Sequence, residues 1–167
     1  DVAARLIVKR FGSPAPCGNY FLGETEDYTI SISSACVADA GSLTPLNANE
    51  CINAGSAELT ASVNNAAVVP AGYQTLYVLT SGAGLVIEQV SATSNFSVTT
   101  GGNYTIHTLV YNPATLDLSI VVFGQTTGFD VNSLLIQGGG SICASLDVAG
   151  AEFNVEAPFA GNLTPKV

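Results

Sequence analysis

Apolar and polar residues alternate with a period of two along much of this chain of 167 residues. In AELTASV at 57–63 the apolar side chains fall at every second position, and YQTLYVL at 73–79 has a similar two-residue pattern rich in strand formers. Successive side chains of a strand point to opposite faces, whereas a helix repeats about every 3.6 residues. The chain is therefore predicted to consist mainly of β-strands.

More strand-like segments follow along the chain: LVIEQV at 85–90, FSVTT at 96–100, NYTIHTLVY at 103–111, LDLSIVVFG at 116–124, ICASLDV at 142–148 and AEFNVEA at 151–157. Turn signals rich in Gly and Pro separate them. Short strands at this spacing predict an antiparallel β-sandwich over residues 36–157. A single helical turn is predicted at DVNSLLI, residues 130–136, with Asp130 as its cap.

The charge balance excludes several partners. Thirteen Asp and Glu residues stand against four Lys and Arg residues, which gives a formal net charge of −9. Nucleic acids and anionic membrane surfaces attract basic proteins, so neither is expected as a partner. No apolar run reaches the ~18 residues of a membrane-spanning helix. The first residues lack the features of a signal peptide and the chain has no Met, so we expect a segment of a longer secreted precursor.

The cysteines predict disulfides. Their spacing includes no CxxC motif, and the single His leaves zinc without its usual ligands. Disulfides imply an oxidising, extracellular setting. Three connectivities remain open for the four residues, which are Cys17, Cys36, Cys51 and Cys143.

The first 35 residues form a separate predicted unit. ARLIVKRF at 4–11 and DYTISIS at 27–33 have the composition of two strands joined by SPAPCGNYFLGETE. An isolated pair of strands is only marginally stable in water, so this hairpin is expected either to lie on its own sandwich or to complete a sheet in a neighbouring chain or domain. The residues expected to make that contact are Leu6, Ile7, Val8, Phe11, Tyr28, Ile30 and Ile32.

The motif GETEDY at 23–28 carries a family resemblance. Residues 5–33 resemble the final strands of the GEVED-type β module of large secreted and cell-surface proteins of Bacteroidota-like bacteria, with Thr25 in place of the commoner Val. The earlier strands of that module are missing here. Residues 36–156 resemble the immunoglobulin-like repeats that follow such modules. The resemblance implies an immunoglobulin-like sandwich and a non-catalytic role as a stalk, adhesin or fibre module.

These observations lead to a functional hypothesis. The chain is expected to be a structural subunit of an extracellular, cell-surface filament, in which identical subunits join head to tail by strand complementation. The alternative is a non-catalytic stalk, adhesin or carbohydrate-binding module of a larger secreted protein, with glycans or a host surface as partner. The tail at 158–167 is a second candidate donor or linker, or a frayed terminus.

No enzyme is expected, because neither a catalytic triad nor a marked carboxylate pair is present. No cofactor is expected. Glu24, Glu26 and Asp27 offer oxygen ligands for calcium but lack the spacing of a calcium loop, so a solvated turn is favoured. His107 is interpreted as a structural histidine. Tyrosines that keep the carbohydrate-binding alternative open are Tyr20, Tyr73 and Tyr111.

Three N-x-[ST] sequons begin at Asn95, Asn103 and Asn162. The motif is short, so chance occurrence in a chain rich in Ser and Thr is the alternative explanation. Asn162 is the preferred candidate for a glycan, because it lies in the tail.

Overall fold

A computed structural model describes residues 2–9, 12, 23–30 and 36–158. The chain divides into two compact units, Asp1–Ala35 and Cys36–Val167. In the first unit, strand β1 (Val2–Lys9) pairs antiparallel with strand β2 (Gly23–Ile30). The register places Val2 opposite Ile30 and Lys9 opposite Gly23.

The position of the acidic motif corrects the sequence analysis. Glu24, Glu26 and Asp27 were expected to form a solvated turn, but all three lie within β2. Their cross-strand partners explain the difference. Asp27 lies opposite Arg5, and an opposite-charge pair across two strands stabilises the pairing. The low strand propensity of acidic residues is therefore outweighed by the pairing.

The second unit contains two sheets. The larger has six strands in the order β4-β11-β9-β6-β7, with β10 pairing with β9. Its strands are β4 (Asn49–Cys51), β6 (Gln74–Ser81), β7 (Val86–Ser91), β9 (Gly102–Tyr111), β10 (Ser145–Leu146) and β11 (Ala151–Glu156). The smaller sheet has the order β3-β5-β8, formed by β3 (Ser42–Pro45), β5 (Ala57–Asn65) and β8 (Asn95–Val98). Pairing is antiparallel except between β11 and β4.

The alternation of apolar and polar residues along the strands explains the core between the two sheets. Leu59 and Phe96 from the small sheet pack against a cluster that includes Leu79, Ile106 and Phe153 from the large one. All five side chains are buried. The predicted all-β sandwich is confirmed, and its immunoglobulin-like topology stays a prediction.

The large sheet is also covered on its outer face. A second core cluster joins Val78 and Leu109 of the sheet to Val131 and Leu135, which belong to the chain between β9 and β10. Strand β9 is consequently buried along both faces from residue 104 to 110. The sequence pattern predicted this strand correctly but not the cover on its outer face.

The covering segment replaces two predicted strands. Within residues 116–124, Leu118–Ile120 form a short 3₁₀ turn. Within residues 142–148, only Ser145–Leu146 are in a strand. The side chain of Asp117 accepts a hydrogen bond from the backbone N–H of Ser119 at 2.9 Å, which caps the turn. The apolar run of this segment therefore packs onto the sheet instead of extending it.

The predicted helical turn is present but begins earlier. Helix α1 spans Gly128–Leu134, and its N-cap is Thr127 instead of Asp130. Thr127 Oγ1 accepts from the Asp130 N–H at 3.1 Å, and Asp130 Oδ2 accepts from the Thr127 N–H at 2.9 Å. This reciprocal capping box satisfies two N–H groups at the start of the helix. No helix among the described residues is long and apolar enough to cross a membrane.

Candidate functional site

The β1–β2 hairpin exposes apolar side chains. Leu6 and Val8 are 55% and 59% exposed, and Tyr28 is 48% exposed. Successive residues of a strand point to opposite faces, and directly paired residues share one. Tyr28 pairs with Ala4, and Leu6 and Val8 continue the same alternation, so all three side chains lie on one face of the hairpin. Ile7 is half-buried and belongs to the opposite face.

Polar contacts hold the two strands in register. Arg5 makes a forked contact with Asp27, with Nε to Oδ1 at 2.5 Å and Nη2 to Oδ2 at 2.7 Å. The guanidinium lowers the pKa of the Asp27 carboxyl because it donates hydrogen bonds to the charged form. On the other face, the Tyr28 hydroxyl donates to Glu26. Glu26 and Asp27 are thus both engaged within the hairpin.

The predicted assembly residues are only partly within the described chain. Leu6, Ile7 and Val8 lie in β1, and Tyr28 and Ile30 lie in β2. Phe11 and Ile32 lie outside the described residues. The same holds for Tyr20, for Cys17, for the sequon at Asn162 and for the tail from residue 159 onward.

One disulfide is present in the part of the chain that the structure describes. Cys36 and Cys143 are bonded, with 5.2 Å between their Cα atoms, and the bond joins the first residue of the second unit to the segment before β10. Cys51, at the end of β4, is exposed and has a free thiol. One of the predicted cysteine pairs is thereby identified.

Both sequons within the described residues are accessible. Asn95 opens β8 and Asn103 lies near the start of β9, and both residues are exposed. Their glycosylation stays a prediction.

His107 is a buried structural residue. It is 1% exposed, and its Nδ1 lies 2.8 Å from the carbonyl oxygen of Asp147. A carbonyl only accepts, so Nδ1 carries the proton, and Nε2 accepts from the Thr80 hydroxyl at 2.9 Å. Burial lowers the pKa of the imidazole, which favours the neutral form.

Most of the carboxylates that could in principle pair for glycoside hydrolysis have structural partners; the set is Glu88, Asp117, Asp130, Asp147 and Glu152. Ser81 donates to Glu88 at 2.6 Å, and the backbone N–H groups of Leu43 and Gly150 donate to Asp147. Backbone hydrogen bonds at the two caps lower the pKa of Asp117 and Asp130. Glu152 is exposed on β11. In the described part of the chain, no group of three or more His, Cys, Asp or Glu residues is placed to hold a metal.

The two described candidate sugar-stacking tyrosines are both half-buried. Tyr111 packs against the second core cluster, and the backbone N–H of Tyr73 closes a turn onto Pro70. Neither offers a fully exposed ring face to a sugar.

An apolar groove lies beside the edge strand β7. Its floor is formed by β6, β7 and β9, and its cover by the segment that follows β9, with a cavity of about 110 Å³ between them. We call it the β7 groove; its lining includes Val78, Val90, His107, Leu118, Val121 and Phe123. His107 and Thr80 are its polar members, and they bond to each other. The lining is therefore almost wholly apolar.

The mouth of the β7 groove is marked by exposed apolar side chains. Val90 and Phe123 line the cavity and are 43% and 53% exposed. Ile120 and Val122, beside the lining residue Val121, are about as exposed. This run was predicted to lie in a strand, and the groove was not predicted. The sequence feature that indicated this difference was the unbroken apolar run IVVF at 120–123. In a strand with one solvent-exposed face, apolar and polar residues would alternate.

The backbone of β7 is open next to this mouth. Residues 124–128 cover the outer edge only at Leu85 and Ile87, where Gly128 N–H donates to Leu85 O and Gly124 N–H donates to Ile87 O. In the described chain, residues 88–91 make no backbone hydrogen bond outside their pairing with β6. An unpaired edge of this kind is a template for another strand.

Comparison with protein-family models, curated proteins and solved structures finds no match for this chain. Its class therefore follows from its own geometry, that of an all-β sandwich protein with an N-terminal β-hairpin unit.

Proposed function

We propose that this protein is the subunit of an extracellular filament, built by adding the β1–β2 hairpin of one copy to the sandwich of the next. The observation that carries the proposal is the hairpin itself. It is a two-stranded sheet within its own compact unit, and it exposes Leu6, Val8 and Tyr28 on one face. Two strands alone are marginally stable in water, so a partner sheet would stabilise this unit.

The distribution of charge supports a contact between unlike units. Residues 36–158 contain nine Asp and Glu residues and no Lys or Arg. Three of the four basic residues, Arg5, Lys9 and Arg10, fall within six residues at the N-terminus. The acidic residues Asp1, Glu24, Glu26 and Asp27 bring the net charge of residues 1–35 to −1, against −9 for residues 36–158. Two sandwiches therefore repel each other much more strongly than a sandwich repels the N-terminal unit. This asymmetry favours head-to-tail association over pairing of like surfaces.

Head-to-tail contacts leave a free donor at one end and a free acceptor at the other. Such heterologous contacts propagate unless the rotation between subunits closes a ring. The Cys36–Cys143 disulfide supports an oxidising, extracellular location for the assembly. Strand addition supplies main-chain hydrogen bonds for affinity and side-chain pockets for specificity.

Comparing the full chain with a variant lacking residues 1–33 tests the proposal. The deletion retains Cys36 and the whole described sandwich. We expect the full chain to sediment as a polymer and the deletion variant to sediment as a folded monomer. A full chain that stays monomeric at high concentration would favour the alternative, a stalk or adhesin module. Saturable binding to a glycan array would favour a carbohydrate-binding module.

A further inference from the structure

We infer that the acceptor is the β7 groove of a second copy, where β1 adds to the open edge of β7 at residues 88–91. This inference rests on the proposed function, because it names the surface that receives the hairpin. In the resulting sheet, β1 of one copy would follow β7 of the next. Leu6 and Val8 would then lie beside Val90 at the mouth of the groove.

The backbone of both partners is available. Among the described residues, the outer backbone edge of β7 at 88–91 has no hydrogen-bonding partner, and β1 pairs only with β2. An added strand satisfies both edges at once, because the N–H and C=O groups of each strand alternate at the spacing the other requires. A bulge leaves Glu88 out of the β6–β7 register, so residues 89–91 supply only a short ladder and side-chain contacts must add to the affinity.

The groove provides those contacts. Val78 and Val90 are cross-strand partners on β6 and β7, and both line the cavity. A strand placed next to β7 would present its alternate side chains along the same row. Leu6 and Val8 are two residues apart in β1 and have this spacing. An engineered cavity of roughly 150 Å³ lined by aliphatic side chains takes up benzene, so a cavity of about 110 Å³ suits an aliphatic side chain.

The polar groups of the groove argue against a polar small molecule. The two nitrogens of His107 are occupied by Asp147 O and Thr80, which leaves neither to bind a ligand. No buried side-chain nitrogen or oxygen of the described residues lacks a hydrogen-bond partner. A polar ligand entering this space would lose bonds to water without replacement. An apolar side chain loses none.

Charge selects β1 over β2 as the donor strand. Arg5 of β1 is already paired with Asp27 of β2, which leaves Lys9 on β1 and Glu24 and Glu26 on β2 to distinguish the two strands. The acceptor edge includes Glu88, and Asp117 precedes the lining residue Leu118. The acidic residues of β2 placed against this edge would be repelled, and Lys9 of β1 would be attracted.

Two substitutions in the full chain test the inference, each with a matched control. Val90→Glu places a charge at the groove mouth, and Val63→Glu makes the same change at a 60% exposed site on β5 of the other sheet. Phe123→Ser removes the exposed ring at the groove, and Phe129→Ser removes one of similar exposure on α1. Thermal unfolding of all four variants establishes that each is folded before assembly is measured.

We expect the critical concentration for polymerisation to rise by about tenfold or more in Val90→Glu and Phe123→Ser, and to stay near the wild-type value in the controls. Equal effects in the test and control variants would overturn the β7 groove as acceptor. Unchanged polymerisation in all four, with loss of polymer when residues 1–33 are deleted, would also overturn it while leaving the filament proposal standing. A monomeric wild-type chain would instead overturn the proposed function.

Discussion

At the residue scale, His107 makes the folding stability of the sandwich depend on pH. Its ring is buried, with Nδ1–H donating to Asp147 O and Nε2 accepting from Thr80, so the neutral tautomer fits the site. Its pKa is lowered mainly by burial, although the nearby Asp147 carboxylate acts in the opposite direction. Because the folded pKa lies below the usual value of 6.5, the unfolded chain takes up a proton first as the pH falls.

The sandwich should therefore lose stability as the pH falls below about 6.5, and should gain nothing further from this group above that value. The chain contains a single His, and carboxylates titrate mostly below pH 5, so the window from about pH 7 to 5 isolates it. In denaturant unfolding, the His107→Gln variant should not show this fall in the free energy of unfolding as the pH is lowered. It should also cost about 1 to 3 kcal/mol at pH 8, because a buried hydrogen-bond partner is lost. An unchanged slope in the variant would contradict this role.

A second residue-scale prediction concerns Gly150, which precedes β11. Its φ of +59° suits glycine, and an added Cβ would lie 2.6 Å from Thr105 Cγ2 and 2.8 Å from His107 Nδ1. Gly150→Ala should lower the free energy of unfolding by about 2 to 4 kcal/mol through backbone strain and overpacking. Gly72→Ala is the control, because φ is +82° there but no atom lies within 4 Å. Equal costs would show that crowding at Gly150 is relieved without penalty.

At the element scale, the Cys36–Cys143 disulfide fastens the covering segment to the start of the sandwich. It spans 107 residues of sequence. A crosslink restricts the unfolded chain, and in the chain-entropy treatment a loop of this length contributes about 4 to 5 kcal/mol. The double change of Cys36 and Cys143 to Ser should lower the free energy of unfolding by about that amount. Cys51→Ser should leave it unchanged, since that thiol is exposed and free. A loss confined to Cys51→Ser would contradict the assignment.

Strands with one buried and one solvent-exposed face could be predicted from the sequence. The alternating segments at 57–63 and 151–157 correspond closely to β5 and β11. The short strands β3 and β4 carry no such signal, because a strand of three or four residues is too short to establish a period. They exist through their pairing with β5 and β11.

The groove could not be predicted for a different reason. An unbroken apolar run such as residues 120–123 fits a buried strand and a covering segment equally well. The choice depends on whether the outer face of β9 needs a cover, and that is decided by residues distant in sequence. The hairpin, in contrast, is local, and its two strands could be predicted apart from the early start of β2 at Gly23.

At the scale of the whole molecule, the separation of charge is the main feature that a filament could use. In the proposed filament, sandwiches of net charge −9 would repel each other, and the N-terminal unit, of net charge −1, would be the surface that they repel least. Such an arrangement restrains side-to-side aggregation and permits end-to-end growth. Filament thickness would then stay close to that of one subunit.

Reversing one basic charge near β1 should slow assembly. Lys9→Glu and Lys166→Glu change the net charge equally, but only Lys9 lies in the proposed donor strand. We expect slower polymerisation of Lys9→Glu at ~0.01 M salt, where charges interact over about 30 Å, and a smaller difference at ~1 M salt. Light scattering measures both rates. The same slowing in Lys166→Glu would assign the effect to net charge alone.

The most direct test of the central claim is negative-stain electron microscopy of the native protein, combined with the intact mass of its protomer. The account predicts filaments of uniform diameter, built from protomers of 17.0 kDa or of that mass plus glycan. Single compact particles, or a much heavier polypeptide that contains this segment, would contradict it. In that case the hairpin would belong to a larger module.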